Sequence, residues 1–408
     1  MIVLRAYKTE LDLNNVQKTA CAKHAGAARW AYNWGLSRKI AAYKAGEKTP
    51  SAIDLHRELN VLKKTELGWM YEVSKCAPQE ALRNLDRAFT HFFRRVKEKQ
   101  AGRKVKAGFP KFKSKKNGLG SFRLTGAIHI FEEAIQLPRL GRLRLKEHGY
   151  LPVGGVHILN ATLSERGRRW FVAVQARVEI PDPEATGKPI VGVDLGIARL
   201  GTVSDGTQIR NPHALKNTLR KIKRLQRTVS RRQKGSANRR KAVDRLAKTH
   251  LRAANLRKDT LHQATSLLAK TKSAVVLEDL NVSGMLRNHH LAQAIADVGL
   301  YEFRRQLTYK AKWYGCQVFL ADRYYPSTKR CSHCGNVKAD LGLSQRIYAC
   351  EVCNLNIDRD LNAALNLLQW ITASSAGIHA CGEGVRPGFQ ASLDEAGTEP
   401  QPSLCRFV

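Results

Sequence analysis

The chain has 408 residues, enough for two or three domains and a sizeable core. Seventy Lys and Arg against thirty-four Asp and Glu give a net charge of +36 and a pI near 10.2; an enzyme of small metabolites has no use for that excess, whereas a protein that neutralises phosphates needs it. The sequence has no apolar run of about eighteen residues and no signal sequence, so the expectation is a cytoplasmic nucleic-acid-binding protein with no membrane partner.

Residues 2–8 alternate and read as a short strand. From Gln17 to Ala45 the period becomes helical, with Ala28, Tyr32, Leu36 and Ile40 on one face. Trp30, Tyr32 and Trp34 within ARWAYNWGL are read as core rather than as base-stacking platforms. A second helix is expected from Ala77 to Gln100. Pro78 suits its first turn, and Leu82, Leu85, Phe89, Phe92 and Val96 form the apolar stripe. Lys75, Gln79 and Arg83 share a polar face at i, i+4 and i+8. Residues 94–116 then hold eleven Lys and Arg against one Glu. Gly108 and Pro110 exclude a continuous helix there. Phe109 and Phe112, interleaved with Lys111 and Lys113, suit contacts to bases and phosphates.

From Ser121 to about Glu179 four segments alternate and are cut by Gly and Pro, which implies a small antiparallel β-barrel or sheet. Residues 181–189 (PDPEATGKP) read as a linker. IVGVDLGIARLGTVSDG follows, with Asp194 at the end of an apolar strand and a second strand over Leu200–Val203. Residues 216–258 carry seventeen Lys and Arg and a single acid, Asp244. Leu219, Ile222, Leu225 and Val229 give this run a helical face, Leu246 and Leu256 mark a second helix, and Gly235 separates the two. A basic helical hairpin of one sign repels itself without counter-charge, so nucleic acid is its expected partner, with Arg231, Arg232, Arg239 and Arg240 as candidate contacts. SAVVLEDLNVSGM is a buried parallel strand by composition, ending in Glu278 and Asp279, at the end where open α/β sheets place their sites. Residues 291–313 read as one helix and Cys316–Asp322 as a strand. After about Thr372 the chain is Gly-, Ser- and Pro-rich and is expected to be disordered.

Cys331-x-x-Cys334 and Cys350-x-x-Cys353, fifteen residues apart, have the spacing of a Cys₄ zinc ribbon. Four thiolates close the coordination sphere, so the one Zn²⁺ is expected to be structural. Cys21, Cys76, Cys316, Cys381 and Cys405 are scattered and read as buried or free thiols. Just beyond the ribbon, Asp358 and Asp360 open an apolar helix. Asp194, Glu278 and one of these two acids are hard oxygen donors suited to Mg²⁺ or Mn²⁺. Such a set can hold two ions on one scissile phosphate.

GVDLGIARLGTVSDG, VVLEDLNVSG, YYPSTKRCSHCG and DRDLNAALN resemble the RuvC-type nuclease motifs of the TnpB (OrfB) family, which is related to the type V CRISPR effectors. ARWAYNWGL and GFPKFKSKK also resemble it, so the likeness covers roughly residues 1–370. The resemblance implies a transposon-encoded, RNA-guided DNA endonuclease. Its partners would be a guide RNA from the transposon end and a double-stranded DNA target beside a short flanking motif. It implies Asp194, Glu278 and Asp360 as catalytic acids and Mg²⁺ ligands, Asp360 being chosen over Asp358 by its D-x-N-A-A spacing. It also implies an α+β multidomain fold. A β-barrel wedge (1–18 and 121–180) would receive a helical recognition lobe (19–120). An RNase H-like RuvC domain (190–330 and 355–372) would follow, with the ribbon (331–354) inserted and a tail at 373–408. Lys75, Gln79 and Arg83 would read the flanking duplex. A prokaryotic cytoplasmic location, at the nucleoid when bound to DNA, goes with this. Two other readings are a guide-dependent binder without cleavage, against which the intact acids argue, and a protein-only transposase or recombinase that needs no RNA.

Overall fold

The computed structural model describes residues 1–115, 118–183, 187–342 and 344–380; the tail expected at 373–408, from 381 on, lies outside these, as do Lys116, Cys381 and Cys405. The chain forms two compact units. The first comprises Met1–Lys188, Asn211–Ser273 and Asn281–Gln317; the second comprises Pro189–Arg210, Ala274–Leu280 and Val318 onward.

In the first unit, strand β1 (Ile2–Asp12) is longer than its alternation suggested. It pairs antiparallel with β7 (Arg169–Glu179) from Ile2↔Glu179 to Leu11↔Trp170. Around this pair lie β2 (Ser121–Leu124), β3 (His129–Ile130), β4 (Ala134–Leu137), β5 (Gly141–Leu145) and β6 (His157–Arg166), in the order β2-β6-β7-β1-β5-β4-β3. The expected closed barrel is therefore an open antiparallel sheet. Its terminal strands, β2 and β3, have four and two residues, and no ladder joins them among the described residues. Between them the chain turns at Gly126, whose φ of +98° lies in the region that favours glycine.

Helix α1 (Asn15–Lys44) starts at Asn14, whose side chain and that of Gln17 cap each other's backbone N–H. Helix α2 (Ala52–Thr65) begins with a like box between Ser51 and Asp54, and a 3-10 turn (Gly68–Glu72) leads into α3 (Cys76–Gln100). Leu36, Leu55, Leu59, Leu82 and Leu85 are fully buried where these helices meet. Gly35 permits the close approach: a Cβ there would lie 2.7 Å from a Leu82 methyl. The apolar stripe of α3 is buried only as far as Leu85; Phe89, Phe92 and Val96 are half-buried.

The expected basic hairpin is α4 (Ala214–Arg231) and α5 (Ala237–Thr271). A short α6 (Val282–Met285), α7 (Ala292–Val298) and α8 (Leu300–Tyr314) follow. The single helix expected over 291–313 is thus two, because Gly299 at φ +79° ends α7 and starts α8. Buried Asp297 of α7 accepts the Leu215 N–H at 2.9 Å and the Lys216 N–H at 3.2 Å, capping α4, and pairs with Arg257 of α5 at 2.7 Å. One carboxylate so joins three helices.

The second unit is built on β8 (Ile190–Asp194), β9 (Arg199–Val203), β10 (Gln208–Arg210), β11 (Ala274–Glu278) and β12 (Gln317–Ala321), in the order β10-β9-β8-β11-β12. β10, β9 and β8 are antiparallel neighbours, and β11 runs parallel to β8. A hairpin of β13 (Ile347–Ala349) and β14 (Asn356–Asp358) precedes α9 (Arg359–Ala380). Helix α9 lies directly on β8. A Cβ at Gly192 would sit 2.1 Å from the Ala364 carbonyl oxygen and 2.7 Å from the Leu368 nitrogen.

Candidate active site

Parallel pairing aligns Leu277 with Val193, so the next residues along the two strands, Glu278 and Asp194, leave the sheet side by side. Both strands are apolar and, Ile190 apart, buried up to those acids, which are half-buried at the rim. Asp360 lies in the first turn of α9, one helical turn before Ala364, the residue that rests on Gly192. The Asp194 carboxyl is pushed up to about 8, first by burial, then by the charge of Glu278, then by that of Asp360; Arg359 opposes the shift and Asp358 adds least to it. The sheet and the helix thus gather the three acids named from the sequence into one repelling cluster.

Asp358 has a different environment. Its Oδ1 accepts the N–H groups of Asp360 (2.9 Å) and Leu361 (3.1 Å), and its Oδ2 lies 3.1 Å from Arg199 Nη1. It caps the start of α9 and is held by an arginine of β9.

The loop from β12 to the first cysteine pair supplies groups that sequence reasoning missed. The Ser327 hydroxyl donates to the Glu278 carboxylate. Asn366 Nδ2 donates to the Ser327 and Arg330 carbonyls at 2.7 and 2.6 Å, and Asn362 Nδ2 to Arg330 at 2.7 Å. Asn362 Oδ1 accepts the Ser332 N–H at 2.9 Å. Both asparagines are fully buried. The available signal was two amides spaced i, i+4 within an apolar helix, since buried polar groups need partners. Beside the cluster, Asp279 pairs with Arg323 at 2.6 Å.

The four cysteine sulfurs lie within 4.8 Å of one another, with Cys331–Cys353 at 3.6 Å and Cys334–Cys350 at 3.5 Å. Tetrahedral Zn–S bonds of about 2.3 Å require sulfurs about 3.8 Å apart, so the donor set fits one Zn²⁺.

The residues proposed for nucleic-acid contact all fall in the first unit. Lys75 is exposed just before α3, Gln79 is half-buried, and exposed Arg83 donates to buried Glu80 at 2.7 Å. Lys111 and Phe112 are exposed; the Lys113 ammonium lies 3.9 Å from the centre of the Tyr32 ring, and burial lowers its pKa. Arg231, Arg232 and Arg240 are exposed at the hairpin tip and Arg239 is half-buried. The core reading of the aromatic stretch in α1 holds fully for buried Tyr32 and in part for Trp30 and Trp34, which are half-buried and pack against the same core. Trp30 and Trp34 are an i, i+4 pair on another side of the helix, and line a cleft.

Carboxylates at adjoining strand ends, a four-cysteine cluster able to hold a metal ion and a strongly basic helical unit define the class: a multidomain α+β protein with a candidate metal site. Residues 173–289 match the family model described as "Probable transposase", residues 301–367 one described as "Cas12f1-like, TNB domain", and residues 1–48 one described as "Helix-turn-helix domain". In this chain residues 1–48 form β1 and the single helix α1. The chain is 34% identical over 394 residues to a Streptomyces pristinaespiralis protein named "Putative RNA-guided DNA endonuclease", covering 96% of this chain and 94% of that one. It is 32% identical over 403 residues to an Escherichia coli K12 protein of the same description, InsQ, covering 94% and 96%. A solved structure, that of the mini-RNA-guided endonuclease CRISPR-Cas_phi3, aligns at 8% identity and a TM-score of 0.47 over 90% of this chain and 92% of that one, too distant to bear on function. The chain belongs to the TnpB (OrfB) family.

Proposed function

We propose that this transposon-associated protein is an RNA-guided endonuclease that cuts double-stranded DNA beside a short flanking motif. The observation that carries this reading is the geometry that sets Glu278 beside Asp194 at one end of the second unit's sheet and Asp360 on the helix packed against the same strand, close enough that both charges raise the Asp194 carboxyl. Three antiparallel strands continued by a parallel one support an RNase H-like, RuvC-type assignment. Mg²⁺ or Mn²⁺, two ions held by Asp194, Glu278 and Asp360, would supply Lewis-acid stabilisation of the attacking and leaving oxygens at a phosphodiester. The donor set fits that role: all ligands are hard oxygens, and their repulsion is what a divalent cation relieves. Asp358 is a positioning residue in this scheme, because both of its oxygens already serve helix α9 and Arg199. Ser327 orients Glu278. Sequence selection would fall to a guide RNA from the transposon end, and the basic first unit would hold the RNA and the flanking duplex.

The test is cleavage of a plasmid library carrying one target and a randomised flank, with protein purified together with its RNA. Asp194→Ala, Glu278→Ala and Asp360→Ala should each abolish cutting while RNA and DNA binding persist; Asp358→Ala should retain some. Cutting by the Asp360→Ala protein, or cutting that survives complete removal of RNA, would refute the assignment, and the latter would favour a protein-only recombinase.

A further inference from the structure

A cleft of the first unit lies between α1 and the 3-10 turn, well removed in sequence from every acid of the proposed centre. It encloses about 890 Å³, within the range of roughly 300–1,000 Å³ typical of small-ligand sites. Three indoles line it. Trp30 and Trp34 stack with ring centres 5.9 Å apart and planes 11° from parallel. Trp69 stands edge-on to Trp30 at 6.4 Å and is 44% exposed. A tryptophan so uncovered loses apolar burial that it would regain on contact with a flat ligand.

The polar lining favours an anion. Lys23 and Arg29 line the cleft, and the pairing of Lys23 with Glu72 (2.5 Å) is an exposed ion pair, of a kind cheaply exchanged for a phosphate. Asn33, also in the lining, holds the basic loop by two backbone hydrogen bonds: its Oδ1 accepts the Lys113 N–H at 2.8 Å and its Nδ2 donates to the Lys113 carbonyl at 2.9 Å. Arg29 donates to the Leu119 carbonyl at 3.2 Å. The Lys113 backbone is held at Asn33, at one edge of the tryptophan cleft.

The geometry points to a binding site for one unpaired nucleotide of a nucleic-acid strand, its base against the indoles and its phosphate at the basic edge. A base inside a duplex presents no face to an indole, so the site takes only single-stranded or splayed-out nucleotides. Guide RNA and unwound DNA share this chemistry. The inference does not rest on the cleavage reading, since oligonucleotide binding needs none of the carboxylates.

The test uses the full chain freed of nucleic acid by a high-salt wash and ten-nucleotide probes: single-stranded RNA, single-stranded DNA and a blunt DNA duplex. Trp69→Ala should weaken single-strand binding by roughly 5- to 150-fold, the equivalent of one lost base stack. Duplex binding and the salt slope should not change, and Trp69→Phe should restore most of the affinity. Loss in the RNA arm, the DNA arm or both upholds the site and identifies the strand it serves. Unchanged single-strand binding, or equal loss for single strand and duplex, overturns it. Should Trp69→Ala fail to fold, indole emission of the unsubstituted protein gives the answer: quenching by single strands but not by the duplex supports the cleft, and equal quenching overturns it.

Discussion

Gly192→Ala should damage cleavage more than it damages folding. The added Cβ would meet two backbone atoms of α9, the Ala364 oxygen at 2.1 Å and the Leu368 nitrogen at 2.7 Å, with the Leu367 Cβ at 2.9 Å. None of these is the end of a pliable side chain, so the helix itself must move. Restoring the 2.1 Å approach to an ordinary 3.4 Å displaces Ala364 by about 1.3 Å. Overpacking of this kind costs about 1–3 kcal/mol, and a backbone clash belongs at the upper end. At about 3 kcal/mol, that lowers the melting temperature of a unit of this size by roughly 12–24 °C. Asp360 sits one turn before Ala364 and moves with it, whereas Asp194 and Glu278 stay with the sheet. A misplacement of about 1 Å in a catalytic array costs on the order of 100-fold in rate. The assay is single-turnover cleavage at 25 °C, with guide-RNA affinity measured in parallel. The expected result is a roughly 100-fold slower cut with RNA affinity within about twofold of the unsubstituted protein. A wild-type rate would refute the reasoning, and so would a rate loss that only tracks the fraction of unfolded protein.

Other consequences can be checked directly. Metal analysis should find about one Zn²⁺ per chain, and Cys350→Ser should lower the yield of folded protein and slow cleavage; a zinc-free, fully active Cys350→Ser protein would refute the ribbon assignment. In metal-free protein the raised Asp194 carboxyl makes its stabilising contribution below pH about 4 and loses it as pH rises toward about 8. Melting temperature should therefore fall across that window, Asp194→Asn should flatten the fall, and Mg²⁺ should restore more at pH 8 than at pH 5. Asp297→Ala removes the cap of α4 and the partner of Arg257, so it should destabilise the first unit by about 3 kcal/mol, read from chemical denaturation. Gln79→Ala, on the half-buried face between Lys75 and Arg83, should shift the preferred flanking sequence in the randomised library; an unchanged preference and rate would remove this face from recognition.

The site was legible where chemistry is written locally. An apolar run that ends in an acid marks a buried strand and its rim, which is how Asp194 and Glu278 stand out, and two C-x-x-C pairs announce their own ligand set. Choosing between Asp358 and Asp360 needed a family likeness, because both open the same helix; the cap that occupies Asp358 exists only once α9 has formed. Closure of the first sheet depended on whether β2 and β3, far apart in its strand order, would meet, and no local pattern encodes that. Two features were present in the sequence and passed over. The Ser51-x-x-Asp54 box announces α2, and Gly299 interrupts a helical period that otherwise runs through it. The tryptophans of α1 were legible only in part, because a helix turns Tyr32 fully inward and leaves Trp30 and Trp34 packed against the core on one side and lining the cleft on the other.

The bare glycine face of β8 also bears on the order in which the protein comes into being at the ribosome. Asp194 emerges early and Glu278 well after it, while the helix that covers Gly192 and carries Asp360 is made last among the described elements. At synthesis rates of roughly 5–20 residues per second, the first acid waits about 10–30 s for the third. Once Thr271 has been made, partway through that interval, the nascent chain carries the whole basic α4–α5 hairpin, yet it has no complete carboxylate set until Asp360. A message broken between the codons for Thr271 and Asp360 yields a product that carries the basic hairpin but lacks at least one of the three acids.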